Sequence, residues 1–87
     1  MKITKKNGNI VVYDDEKVVR SILKANVDAM TEELSRKRAQ VIADEVFQRL
    51  TEQRDIITTG DVRAFTAAIL REKGYPNTAR CYEEYKN

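Results

Sequence analysis

Two lysines near the start of the chain, Lys5 and Lys17, have the charge and the spacing to bind an anion together. Lys5 lies just before Asn7-Gly8, and Asn-Gly is the dipeptide that most readily forms the type I′ turn of a β-hairpin. Lys17 falls in the first turn of a helix that Asp14 can cap. A cation there lies beside the positive end of the helix macrodipole and is unfavourable unless an anion accompanies it. We therefore interpret the two lysines as cations that converge on an anion.

The hairpin, expected over about residues 2–13, decides which way Lys5 points. If the Asn-Gly dipeptide forms the turn, Lys5 pairs with Ile10 and Ile3 pairs with Val12, so these four side chains share one face. That face is apolar apart from Lys5. A lysine in such a place either extends past its neighbours into solvent or meets an anion beneath the hairpin.

The composition limits what the chain can be. Its 87 residues leave room for one small domain, residues 1–87, and not for a large catalytic domain. Hydrophobic residues make up 41% and charged residues 34% of the chain, which is ordinary for a folded globular protein. The net charge of +2 is too small to require a nucleic-acid or membrane partner.

The single cysteine, Cys81, has no partner for a disulfide within the chain, and a chain without histidine cannot form the usual zinc sites. This composition is typical of a reducing compartment. There is also no apolar run long enough to span a bilayer and no signal-peptide core. We therefore expect a cytoplasmic protein without a membrane segment.

Apolar residues recur at helical spacing in four segments, which predicts helices over about residues 15–26, 32–53, 59–73 and 78–86. Thr31, followed by two glutamates, is the expected start of the second helix. Either Thr58 or Thr59 can cap the third helix, and Thr58 with Asp61 forms a pair like a capping box. Since none of these elements can bury its apolar face alone, the predicted fold is α+β, a small four-helix bundle capped by the N-terminal β-hairpin.

The order of these features resembles the ATP-cone, a nucleotide-binding regulatory domain at the N-terminus of many ribonucleotide reductases. The family's Lys-Arg-Asp-Gly, Phe-Asp and Lys-Ile motifs are similar, at the same spacing, to Lys5-Lys6-Asn7-Gly8, Tyr13-Asp14 and Lys17-Val18. The family's Ile-x-Thr-x-Asp-Ile segment and its closing Ala-x-x-Tyr-x-x-Tyr-Arg motif look like Ile57–Val62 and like Ala79, Tyr82, Tyr85 and Lys86. The chain is most similar to cones of the anaerobic reductases, and the resemblance implies the same helical bundle and small sheet.

The resemblance also implies which residues bind phosphate. Lys5 and Lys17 take this role, and Lys6 stands where the family usually has arginine, so it keeps the charge but not the fork geometry. Lys86 stands where the family's terminal basic residue approaches the phosphates.

The same resemblance assigns the base and the sugar. Thr59 is expected to hydrogen-bond the adenine edge, and Asp14 to cap the first helix and face the sugar. Apolar packing around the nucleotide is expected from Ile3, Val18 and Val62.

The function implied is regulation by ATP or dATP, with Mg²⁺ accompanying the nucleotide and with no catalysis by the domain itself. The chain lacks a glycine-rich phosphate loop and a set of metal ligands for phosphoryl transfer. The implied partners are the catalytic domain of a ribonucleotide reductase or another protein, and nucleotide-dependent self-association is a further expectation.

Two alternatives remain open. One is the cone of the repressor of reductase genes, but that protein places a four-cysteine zinc ribbon before its cone, and the single cysteine argues against direct nucleic-acid binding. The other is a small helical protein-interaction module with a basic hairpin and a degenerate nucleotide site, which would respond alike to any polyanion.

Overall fold

The structure, a computed structural model, describes residues 1–85. It contains two short strands and four helices: β1 (Lys2–Thr4), β2 (Ile10–Val12), α1 (Asp15–Ala29), α2 (Arg36–Thr51), α3 (Thr59–Glu72) and α4 (Pro76–Glu84). The strands form a two-stranded antiparallel sheet. This arrangement confirms the predicted α+β fold with four helices and an N-terminal hairpin.

The helices enclose one apolar core. α1 and α3 each pack against both α2 and α4. The side chains between them recur at helical spacing and are fully buried, which is where the hydrophobic effect contributes most to stability. The largest of these apolar residues are Val19, Ile22, Ile42, Val46, Leu50, Ile69 and Leu70. Within residues 1–85, no helix is both long enough and apolar enough to cross a membrane.

Side-chain caps define where three of the helices begin. The Asp14 carboxylate accepts hydrogen bonds from the first-turn N–H groups of α1, and the Ser35 hydroxyl accepts one from α2. Thr58 caps α3 in the predicted capping box, with its hydroxyl accepting from Asp61 N–H at 3.1 Å and the Asp61 carboxylate accepting from Thr58 N–H at 2.9 Å. These caps satisfy backbone donors that have no partner inside the helix.

The α1–α2 connection differs from the prediction. α1 continues past residue 26 to Ala29 and ends at Met30, whose φ of 60° is left-handed. Asn26 does not break the helix, because its side chain accepts a hydrogen bond from Leu34 N–H and donates one to the Glu32 carbonyl. The second helix begins at Arg36 rather than near residue 32.

The register of the hairpin also differs from the prediction. The observed pairs are Lys2 with Val12, Ile3 with Val11, and Thr4 with Ile10. The turn is one residue longer than a type I′ turn, since Lys5 N–H donates to Asn9 O at 2.7 Å and Gly8 N–H donates to Lys5 O at 2.9 Å. Gly8 has φ 90°, as expected for the left-handed residue of a three-residue hairpin loop.

The expected face of Ile3, Lys5, Ile10 and Val12 is therefore wrong. Ile3 is 3% exposed, whereas Ile10 and Val12 are 64% and 72% exposed and lie on the opposite face of the hairpin. Because side chains alternate along a strand, Lys5 lies on the same face of the hairpin as Ile3, as predicted. In the observed register this face also carries Val11.

Backbone and side-chain contacts fix the sheet to the helices on two sides. Thr4 N–H donates to Ile57 O at 2.8 Å, and Thr4 forms a parallel bridge with Thr58, so β1 lies beside the start of α3. On the other side, the Tyr13 hydroxyl donates to Ala43 O at 3.1 Å. The hairpin is thereby held over the end of the bundle at which α1 and α3 begin.

Candidate functional site

Two helix N-termini lie against the hairpin. α1 begins directly after Tyr13 and Asp14, which follow β2, and the cap of α3, Thr58, is bridged to β1. Each N-terminus carries a partial positive charge and N–H groups that point away from the helix. Because the Asp14 carboxylate and the Thr58–Asp61 capping box already accept from first-turn N–H groups, the helix ends add only a partial positive charge to that of the nearby lysines.

The lysines of this region lack acidic partners. Lys5, Lys6 and Lys17 are exposed, and none of them forms an ion pair within residues 1–85. Glu16, the carboxylate next to Lys17, pairs with Arg36 on α2 instead. Elsewhere on the surface, Arg49 pairs with Glu72 and Arg71 with Glu83, and these bonds lower the pKa of both carboxyls.

The lysines are distributed along the hairpin and are not gathered at a point. Lys5 and Lys6 lie in the turn, next to Thr4 and therefore on the side of α3. Lys17 lies in the first turn of α1, beyond the other end of β2. A three-residue strand spans roughly 10 Å, so the two groups of lysines are separated along the hairpin.

Three apolar residues were predicted to pack around the nucleotide, and the structure buries them to different degrees. Ile3 is buried beneath the hairpin, and Val18 is 7% exposed. Val62 is half-buried and packs against the main core. Val18 and Val62 occupy the same position, the fourth residue, in α1 and α3. The two helix starts thus carry matching apolar residues that pack into or against the core.

Thr59, the first residue of α3, is half-buried and is not the cap of its helix. Because Thr58 and Asp61 form the capping box, the Thr59 hydroxyl has no hydrogen-bond partner within residues 1–85. Hydrogen bonds from Thr58 N–H and from Gln53 hold the pKa of the Asp61 carboxyl below its usual range, despite the opposing effect of burial. The Asp61 carboxylate of the capping box is therefore ionised at neutral pH. The Thr59 hydroxyl is not used by the cap and is able to bind a ligand.

Asp14 lies at the junction of hairpin and α1. Its carboxylate accepts from Glu16 N–H at 3.1 Å and from Lys17 N–H at 3.4 Å, which confirms the predicted helix cap. Its contact with a sugar stays a prediction. The prediction for Lys86 falls outside the described residues 1–85.

The sequence did not single out two features of this region. One is the pairing of Thr4 with Ile57, which depends on residues far apart in the chain and has no local signal. The other is Arg63, half-buried one residue after Val62 and without an ion pair in the part of the chain that the structure describes. Arg63 could have been considered from the sequence because it directly follows Val62, a predicted contact residue.

Two surface depressions are lined by residues other than the predicted ones. One, of about 510 Å³, is lined by Asn26, Glu33, Leu34, Ser35, Arg38 and Tyr75. The other, of about 470 Å³, is lined by Tyr13, Asp15, Asp44, Phe47 and Gln48. The described residues also bring no three metal-ligating side chains together.

Comparison with known proteins gives a family for the chain. The model of the ATP cone domain matches residues 1–87, the whole length. A comparison with curated proteins finds none that matches. ATP-cones bind nucleotides such as ATP and dATP and are regulatory, not catalytic, domains. The match over the full length, on a fold with the expected hairpin and four helices, shows that the chain belongs to the ATP-cone family.

Proposed function

We propose that this domain binds ATP or dATP between the hairpin turn and the N-termini of α1 and α3, and that the bound nucleotide controls ribonucleotide reduction or another partner protein. The observation that carries the proposal is a set of lysines without ion pairs within residues 1–85: Lys5 and Lys6 at the hairpin turn and Lys17 in the first turn of α1. The Thr4–Ile57 hydrogen bond holds that hairpin against α3. Membership in the ATP-cone family supports the proposal.

The three lysines supply the phosphate contacts of the proposal. A charge-assisted hydrogen bond contributes about 1.5–3 kcal/mol, roughly twice a neutral one. Because Lys5 and Lys17 lie at different ends of β2, they contact different phosphates, and Lys6 adds charge at the turn. Mg²⁺ enters with the nucleotide, which supplies its own phosphate ligands for the metal.

The base and the sugar are assigned to the groups between the lysines. The Thr59 hydroxyl bonds the adenine edge, and Ile3, Val18 and Val62 supply the apolar contact. The Asp14 carboxylate faces the sugar, where it can distinguish a ribose from a deoxyribose. Regulation then requires that ATP and dATP stabilise different states of the domain and its partner, since a ligand with equal affinity for both states shifts neither.

The proposal is tested by calorimetric titration of the chain with Mg-ATP, Mg-dATP and Mg-GTP at fixed ionic strength. We expect adenine-selective binding that Lys5→Ala and Lys17→Ala each weaken about tenfold or more, because each loses a charge-assisted bond. Lys37→Ala is the matched control, since Lys37 is an exposed lysine in the first turn of α2 without an ion pair within residues 1–85.

Three results would contradict the proposal. Equal loss in Lys37→Ala and Lys17→Ala would mean that only overall charge matters. Equal binding of ATP and GTP would favour a polyanion-binding surface. No binding by the folded wild-type chain would point to a degenerate site in a protein-interaction module.

A further inference from the structure

We propose that two copies of this chain associate through their β2 strands. The outer edges of the two β2 strands pair antiparallel, so that the two hairpins form one continuous four-stranded sheet. This association does not depend on nucleotide binding and uses the edge of the hairpin opposite α3.

The outer edge of β2 has unused backbone groups. In an antiparallel ladder, successive residues alternate between bonding the neighbouring strand and pointing away from it. Tyr13 N–H donates to Met1 O and Lys5 N–H donates to Asn9 O, so the N–H and C=O groups of Ile10 and Val12 point outward. Within residues 1–85, no segment pairs with this edge, whereas the outer edge of β1 is bridged to Thr58.

The side chains of β2 are those of a buried strand, yet they are exposed. Ile10, Val11 and Val12 are 64%, 40% and 72% exposed. Monomeric proteins usually protect an edge strand by keeping it very short or with lysine, proline or a bulge; β2 is short, at three residues, but contains no lysine, proline or bulge. Such an edge is a template for another strand.

The geometry of β2 fits a second copy of the same strand. The outward groups of Ile10 and Val12 are two residues apart, so a two-fold axis at Val11 brings Ile10 of each copy opposite Val12 of the other. This register forms four backbone hydrogen bonds. It also forms two Ile–Val pairs on the exposed face and one Val11–Val11 pair on the other face.

Charges favour the same register. It places Asp14 of each copy opposite Gly8 of the other, so the acidic start of α1 faces the basic turn that carries Lys5 and Lys6. The two basic turns themselves lie at opposite ends of the paired strands, roughly 25 Å apart. This separation exceeds the Debye length of about 8 Å at physiological ionic strength, so their mutual repulsion is screened.

The first test measures association by sedimentation velocity over a range of protein concentrations. We expect a monomer–dimer equilibrium that Val12→Lys weakens about tenfold or more, since it removes both Ile10–Val12 pairs of the interface and adds charge. Val27→Lys is the matched control, because Val27 is equally 72% exposed but lies near the end of α1. A wild-type chain that stays monomeric at all concentrations, or equal weakening by both variants, would overturn the proposal.

The second test checks the register by disulfide trapping in a Cys81→Ala background. The two Val11 residues form a non-hydrogen-bonded pair with Cα atoms about 4.5 Å apart, which suits a disulfide. We expect Val11→Cys to cross-link rapidly under mild oxidation, and Ile10→Cys to do so slowly, because the two Ile10 positions are diagonal. Equal rates, or faster cross-linking of Ile10→Cys, would refute the two-fold axis at Val11.

Discussion

Glu32 caps a helix that is distant in sequence, and its removal should destabilise the fold. α4 has only nine residues, and its N-cap residue, Tyr75, makes no side-chain cap. The Glu32 carboxylate, from the α1–α2 connection, accepts instead from Asn77 N–H at 3.0 Å, from Thr78 N–H at 2.9 Å and from the Thr78 hydroxyl at 2.8 Å. Glu32→Ala therefore leaves the first turn of α4 without its acceptor.

The size of the effect follows from these bonds. Losing a helix cap costs about 0.5–2 kcal/mol, and hydrogen bonds to a charged group are at the strong end of the usual range. Since Glu32 is partly exposed and water can replace some of the lost bonds, we expect a loss of about 2 kcal/mol for Glu32→Ala. Glu32→Gln keeps an acceptor oxygen but not the charge and should cost about 1 kcal/mol.

Thermal and urea unfolding, followed by circular dichroism, measure this loss. A change of 1 kcal/mol shifts the Tm of a domain of this size by about 4–8 °C, so Glu32→Ala should lower it by roughly 8–16 °C. Glu33→Ala is the control, since its exposed side chain makes no hydrogen bond or ion pair within residues 1–85. An equal decrease in Tm for Glu33→Ala and Glu32→Ala would show that Glu32 does not stabilise α4 as a cap.

The pH dependence offers an independent check. Burial favours the neutral carboxylic acid, but the hydrogen bonds from Asn77 and Thr78 outweigh it and hold the pKa of Glu32 below the 4.5 of an unperturbed glutamate. A lowered folded-state pKa contributes stability that is complete above the unfolded pKa and is lost as pH falls through the folded pKa. The stability difference between wild type and Glu32→Gln should thus be constant near neutral pH and shrink below pH 4.5. A difference that stays constant on acidification would exclude a role for the Glu32 charge.

Two smaller effects test the turn and the cap of α3. Gly8→Ala should lower the free energy of unfolding by about 1 kcal/mol, because Gly8 has a φ of 90°, although the space around it is open. Gly60→Ala, in α3 and without a positive φ, should raise it by about 0.5 kcal/mol. Equal changes for the two variants in urea unfolding would contradict the turn geometry. Thr58→Ala should lower the free energy of unfolding by about 1 kcal/mol, because it removes the cap of α3. Thr59→Ala should leave unfolding nearly unchanged and lower adenine selectivity in calorimetry. A larger loss of stability in Thr59→Ala than in Thr58→Ala would mean that Thr59 is the cap.

Local signals predicted the features that depend on neighbouring residues. The Asp14 cap and the Thr58–Asp61 capping box each involve groups within three positions of one another, and both were confirmed. The four helices and the hairpin followed from periodicity and turn residues for the same reason. The placement of lysines at the turn and in the first turn of α1 is equally local.

Features that depend on distant residues could not be read in the same way. A left-handed Gly8 fits both a two-residue and a three-residue loop, and in the observed register Ile3 is buried against the body of the domain while Ile10 and Val12 are exposed. Glu32 has the appearance of a first-turn residue of α2, but its carboxylate caps α4, 46 positions from Thr78. In both cases the tertiary structure chooses between local alternatives of similar energy.

The contact between Thr4 and Ile57–Thr58 has a consequence for the order of folding. It joins residues more than fifty positions apart, so it forms only after the chain between them has closed into a long loop. α1, α2 and α3 form largely from local contacts, which arise faster than contacts of such high sequence separation. The docking of β1 beside α3 is therefore expected late in folding and among the first contacts to open in the native state. A ligand held between the hairpin and α3 would bind only the fully assembled chain and would slow that opening.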